Sequence, residues 1–304
     1  MITMVGSFAV GLTLRSDVFP AAGETRLARD FDQGPGGKGS NQAVQAARMG
    51  AVVELVAAVG KDAFADMALE LYAAEGVGTR HLITHPERNT GLGFIMLDDL
   101  GENRILLDPG ANDLLSPADI DAAGPSIANS AVVATQLEIP VAAAAVALAA
   151  GRKAGALTLL NPAPARSLPS GVLASVDVLT PNEVEARTLT GLSSEEECSD
   201  DELCTRLLAL GPSAVLLTLG PRGALLARGE ERIKIEPWPV EVVDSTGAGD
   251  AFSGTLAAAV AEGAALEDAA ERAAAAGALA CRKLGVVPSL PRREQLQEFM
   301  DAGR

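Results

Sequence analysis

The chain has 304 residues, with 24 Lys and Arg against 40 Asp and Glu, a formal net charge of −16. So acidic a surface repels nucleic acids and anionic membranes, and an aromatic content of 3% leaves few stacking platforms for single strands. With 48% hydrophobic residues, the chain can bury one large, aliphatic, alanine-rich α/β core.

Residues 1–10 lack the basic region and cleavage pattern of a signal peptide and read as a first strand. Residues 12–34 are polar and broken by Pro20 and Gly23. Gly34-Pro35-Gly36-Gly37-Lys38-Gly39-Ser40-Asn41 follows and opens a helix over 39–49. It contains G-x-G-x-x-G, with Glu54 twenty residues past Gly34. A dinucleotide site would need a buried strand just before the glycines, and Arg29-Asp30-Phe31-Asp32-Gln33 stands there instead. Lys38 also lacks the spacing of a phosphate-binding P-loop. What remains is a turn that lets a small polyol approach the backbone beside Lys38 and Asn41, or a helix-capping turn alone.

A strand at 52–58 and a helix at 62–75 come next. Residues 90–107 read as a hairpin turning at Asp98-Asp99-Leu100-Gly101. With 12–34 it forms a small separate sheet, suited to a lid. Then helices at 117–124, 140–153, 183–190 and 200–210 alternate with strands at 131–135, 156–160, 176–179 and 214–219. The fold class is therefore α/β, a doubly wound, mostly parallel sheet flanked by helices, within one domain over 1–304. Residues 193–202 read as a solvated acidic loop and helix start, and helices at 251–262, 267–284 and 292–301 end the chain. No apolar run reaches the roughly 20 residues of a membrane span.

Two strand ends carry polar motifs. In Thr180-Pro181-Asn182-Glu183-Val184-Glu185, Asn182 and Glu185 share a helix face. They can hold a hydrated Mg²⁺ bound to phosphates, or simply cap the helix. In Thr218-Leu219-Gly220-Pro221-Arg222-Gly223 the glycines suit either a nucleotide phosphate or a tight hairpin. Cys198, Cys204 and Cys281 form no CxxC pair, which points to reduced thiols and a cytoplasmic setting. Two histidines, His81 and His85, exclude a histidine-rich metal centre.

Residues 244–250 read Asp-Ser-Thr-Gly-Ala-Gly-Asp, then an Ala-rich helix. Gly247, Ala248 and Gly249 leave backbone amides uncovered at a helix N-terminus, which is an anion site. A carboxylate inside it, Asp250, repels an anion unless it takes a proton from a hydroxyl attacking phosphorus.

Gly36–Ala43, Gln136-Leu137-Glu138, Asn161-Pro162-Ala163, Thr180-Pro181-Asn182-Glu183 and Asp244–Gly254, in that order, resemble the ribokinase-like, or PfkB, carbohydrate kinases over nearly the whole chain. The resemblance implies an enzyme that moves a phosphoryl group from ATP to a sugar hydroxyl. It makes Asp250 the catalytic base, with the amides of Gly247, Ala248 and Gly249 as the anion hole. It gives Gly36, Gly37, Lys38, Asn41 and Glu138 to the sugar, and Asn182, Thr218, Gly220, Gly223 and Gly249 to ATP. Glu185 would organise Mg²⁺ indirectly. Asp244, Thr246, Cys281, Leu284 and Val286 would hold K⁺. Homodimers joined through the lid sheets are the expected assembly. A silent sugar-binding protein and a Rossmann dehydrogenase are the competing classes.

The chain departs from ribokinase itself at Ala9 and Gly11, where Asn and Asp normally read sugar hydroxyls. Each hydroxyl left without its partner loses about 0.5–1.5 kcal/mol. The expected acceptor is therefore ribose or a ribose-like compound, with deoxy sugars and nucleosides as alternatives. Thr255, where Gly or Ala is usual, is expected to be a packing change.

Overall fold

The computed structural model describes residues 1–99, 102–193 and 195–303. Leu100, Gly101 and Ser194 lie outside the described residues, and with them part of the turn expected at 98–101 and of the acidic loop at 193–202. In chain order the strands are β1 (Ile2–Val5), β2 (Ala9–Arg15), β3 (Arg29–Gly36), β4 (Val53–Gly60), β5 (Gly78–His85), β6 (Gly91–Leu97) and β7 (Asn103–Asp108). After these come β8 (Val132–Thr135), β9 (Leu157–Leu160), β10 (Val178–Leu179), β11 (Ala214–Thr218), β12 (Ala224–Arg228) and β13 (Glu231–Ile235).

Nine of them form a central sheet in the order β13-β12-β11-β10-β9-β8-β1-β4-β5. Its strands from β5 to β11 are parallel, and β12 and β13 extend it as an antiparallel edge. Alternation along β4 explains why its sequence is apolar throughout. Leu55 and Ala57 enter one core and Val56 and Ala58 the other. Helices Lys38–Arg48, Ala248–Ala261 and Leu266–Ala280 cover the first face; Val141–Ala154 and Asp200–Ala209 cover the second. Strand order reverses at β1, between β8 and β4, and such a switch point opens a crevice at the strands' carboxyl ends.

The expected strand over 2–10 is two strands in two sheets. The chain turns at Gly6, Ser7 and Phe8, where the Asn112 side chain accepts from the Phe8 amide (3.0 Å) and donates to its carbonyl (2.7 Å). The second sheet, β3-β2-β6-β7, is the lid, and it starts at Ala9 rather than at residue 12. Arg29–Gln33 do form a strand, but an exposed one in this small sheet, not the buried strand of a dinucleotide unit. β5, β12 and β13 add strands where the periodicity signalled none.

Two close approaches position the site. A Cβ on Gly254 would stand 2.6 Å from Gln45 Cβ and 2.7 Å from the Gln42 carbonyl, so helix Ala248–Ala261 can meet helix Lys38–Arg48 only with glycine there. A Cβ on Gly39 would stand 2.4 Å from the Ser7 amide nitrogen, against backbone that cannot give way. Gly39→Ala is expected to destabilise by about 2 kcal/mol, read as a melting midpoint roughly 3 °C lower. An unchanged midpoint would show that the helix start is not wedged against β1.

Candidate active site

Helix Ala248–Ala261 begins three residues before the expected 251, which places Asp250 in its first turn. Gly247 caps it in the left-handed region at φ 84°. Of the three amides expected in the anion hole, that of Ala248 turns back to the Ser245 carbonyl (3.2 Å). Among the described residues, the amides of Gly247 and Gly249 have no such backbone partner.

Asp250 is buried, at 6% exposure, yet fully engaged. Asn41 Nδ2 donates to one carboxylate oxygen (2.8 Å) and Gln42 Nε2 to the other (3.0 Å). Gln42 is itself held by a relay of amides. Its Oε1 accepts from Gln136 Nε2 (2.6 Å), its Nε2 also donates to Asn161 Oδ1 (3.1 Å), and Asn161 Nδ2 donates to the Thr180 carbonyl (2.9 Å). Gln42, Gln136 and Asn161 had no role from sequence. Their signal was faint: Asn41, Gln42 and Gln45 are three amides within five residues, all buried on one helix. Burial pushes the Asp250 carboxyl above the usual aspartate range; Lys38 and the two amide donors restrain that shift, and Glu138 adds to it.

Lys38 opens helix Lys38–Arg48. Burial disfavours its ammonium, but the carboxylates of Asp250, Glu138 and Glu185 offset that and hold its pKa above the ordinary lysine value. Glu138, just past β8, accepts at Oε2 from both the Lys38 amide (2.8 Å) and the Ser7 hydroxyl (2.6 Å). A carboxylate at a helix N-terminus is favoured by the dipole. Gly36 ends β3, paired with Ala9, and Gly37 links it to the helix.

Lys38, Asn182, Glu185, Thr218, Thr246, Gly247, Gly249 and Asp250 line one cavity of about 270 Å³, joined by Asn161, Thr180 and Phe252. Asn182 and Glu185 form a reciprocal cap: Asn182 Oδ1 accepts from the Glu185 amide (2.8 Å) and Glu185 Oε2 from the Asn182 amide (2.9 Å). Capping and cavity lining are both true of this pair. Burial raises the Glu185 pKa against the lowering by the Asn182 amide and Lys38. A wider recess of about 420 Å³, lined by Pro239, Val240, Glu241, Val243, Arg282 and Phe299, contains none of these groups. Gly220 and Gly223 are not on the cavity wall; they flank the turn after β11, and the Gly223 carbonyl accepts from the Leu219 amide (2.8 Å).

The expected cation cluster is only partly assembled. Asp244 accepts from the Thr246 amide (2.9 Å) and hydroxyl (2.6 Å) at Oδ1 and from the Gly285 amide (3.1 Å) at Oδ2. The Cys281 carbonyl already accepts from the amides of Val243 and Asp244. The Val286 carbonyl accepts from the Ser289 hydroxyl and the Leu290 amide. Both lone pairs of each are committed, so Cys281 and Val286 do not offer a carbonyl to K⁺ in this arrangement. Among the described residues, no three His, Cys, Asp or Glu side chains gather into a metal-holding group.

A buried carboxylate beside backbone amides and a half-buried ammonium, at the carboxyl ends of a doubly wound sheet, is a phosphoryl-transfer arrangement. The pattern of the pfkB family carbohydrate kinases matches residues 1–293, and the chain belongs to that family. It is a kinase that transfers phosphate to a sugar hydroxyl. It is 35% identical to the ribokinase of Haemophilus influenzae over 301 residues, covering 99% of this chain and 98% of that one. It is 33% identical to the deoxyribokinase of Salmonella typhi over 300 residues, covering 98% of each. The Arabidopsis thaliana ribokinase solved with ribose and ATP superposes with a TM-score of 0.90 at 30% identity, over 98% of this chain and 97% of that one.

Proposed function

We propose that this chain transfers the γ-phosphoryl group of ATP to a hydroxyl of ribose or a ribose-like sugar, with Asp250 as general base. The observation that carries the reading is Asp250 held by two amide side chains beside the backbone amides of Gly247 and Gly249. The acceptor hydroxyl gives its proton to an Asp250 carboxylate oxygen as its oxygen bonds to the γ-phosphorus. ADP leaves, and the proton passes from Asp250 to solvent. Gly247 and Gly249 receive the equatorial oxygens in transit.

Gly36, Gly37, Lys38, Asn41 and Glu138 hold the sugar, and Asn182, Thr218 and Gly249 hold ATP. Mg²⁺ neutralises phosphate charge when bound. The residues fit it indirectly, since Glu185 is one half-buried carboxylate on the cavity wall and phosphates and water can supply the other ligands. Potassium has no step in this proposal, because two of its expected carbonyls are committed. The second sheet closes the site against water, as the lid of a single α/β unit. Ile105, Leu106 and Leu107 on its edge strand are 51%, 69% and 67% exposed, which supports a homodimer through the lids, to be read as molecular mass by sedimentation. No described helix is long and apolar enough to cross a membrane, and the three free cysteines support a cytoplasmic setting.

The test is ADP release with ribose under Mg·ATP. Chelating the divalent ion is expected to abolish turnover, and excess Mg²⁺ to restore it. Full turnover in chelator would remove Mg²⁺ and Glu185 from the scheme.

A further inference from the structure

One face of the lid carries almost no side chains of its own on β2 and β3, beside the sugar site. Val10 on β2 is fully buried, and Leu12 on β2 and Leu92 on β6 pack on the core. Alternation puts Ala9 and Gly11 on the opposite face. Gly36 and Gly34 of β3 pair with them from one side, and Gly91 and Gly93 of β6 from the other. On β2 and β3 the four positions Ala9, Gly11, Gly34 and Gly36 make a floor of roughly 7 by 5 Å with nothing larger than a methyl group, bounded on the β6 side by Asn112 beside Gly91 and by Leu107 beside Gly93.

Backbone conformation does not account for these glycines. Gly11, Gly34, Gly36 and Gly93 are absent from the left-handed residues of the chain. Space does not account for them either. A Cβ would meet nothing within 4 Å at Gly34, and its nearest neighbours would lie at 3.6, 3.5 and 3.4 Å at Gly36, Gly11 and Gly93. Only Gly91 is crowded, with Asn112 Nδ2 at 2.5 Å. A glycine inside a strand weakens it, and where nothing else demands it, it marks the close approach of a ligand.

The floor runs directly into the groups that hold the acceptor. Gly36 leads through Gly37 to Lys38, and Ser7, two residues before Ala9, donates to Glu138. Its next rung is Asp32, Thr13 and Ile95, a polar rim and an apolar wall. We propose that the acceptor is a nucleoside, a pentose carrying a flat ring that lies on this floor against Ile95. A free pentose would set hydroxyls against carbon and leave them unpaired, whereas a purine or pyrimidine face needs no partner and its edge meets Asp32 and Thr13.

The inference rests on the kinase reading above, and one experiment separates the two. ADP release is measured with Mg·ATP and ribose, 2-deoxyribose, adenosine, 2′-deoxyadenosine or uridine. At least one nucleoside is expected to exceed ribose tenfold or more in kcat/KM. Gly34→Val, which fills open space, is expected to lower the nucleoside-to-ribose ratio at least tenfold, with its melting midpoint as the control for folding. Free pentoses turned over as well as every nucleoside, or a ratio unchanged in Gly34→Val, overturns the inference and leaves the kinase standing. No release with any acceptor overturns the kinase reading itself.

Discussion

Asp250→Asn is expected to lower kcat by about 10³-fold while leaving the fold intact. Both parts follow from the same hydrogen bonds. Asn cannot take the proton, so the base contribution is lost. It can still be accommodated, because Asn41 Oδ1 is a buried acceptor without a partner. Turning the Asn41 amide over presents that oxygen to the new side-chain NH₂, while Gln42 Nε2 continues to donate to Oδ1. Stability gives an independent check on the sign. The folded-state pKa of Asp250 is raised by burial. The stability tied to its protonated form is therefore fully present below the unfolded pKa and lost as pH rises through the folded one. Asn, which never ionises, does not suffer that loss, so the variant should melt no lower than the wild type at pH 7. Steady-state kinetics and a thermal melt read the two parts. Undiminished kcat would remove Asp250 from the chemistry.

Lys38→Met should lower kcat/KM by on the order of 10³ and also shift the pH profile. Lys38 is the cation that faces Asp250, Glu138 and Glu185 and the strongest of the influences that lower the Asp250 pKa. Asp250 must be ionised to accept a proton, so activity falls as pH drops through its pKa. Without Lys38 that pKa rises further, and the acid limb of the kcat/KM profile must move to higher pH. A large activity loss with an unmoved acid limb would mean that Lys38 serves binding alone. Met retains the length of the buried stem, so packing is little disturbed.

Alanine-rich helices and runs of branched residues made most of the α/β alternation readable in advance, since each strand buries both faces. The residues around Asp250 were readable because a Gly-x-Gly-Asp run has a local meaning. Gln42, Gln136 and Asn161 were not. Their relay exists only where a helix meets the ends of β8 and β9, and no local spacing encodes that meeting. The break at 6–8 was also hidden, because Phe8 is apolar and buried like its neighbours although it lies between the two sheets. The state of the cation loop was hidden for a related reason. Whether a carbonyl is free depends on which amides turn toward it.

The lid joins segments far apart in sequence: β2 pairs in parallel with β6, and β4 and β5 of the central sheet lie between them in the chain. β1 is buried at every residue, whereas on β2 only Val10 is, so fewer buried contacts hold the lid strands. The mouth of the site therefore opens before the central sheet. Hydrogen exchange should be faster at the amides of β2 and β6 than at those of β1 and β4. Bound acceptor should slow it, so the ligand finishes the assembly of the surface that recognises it.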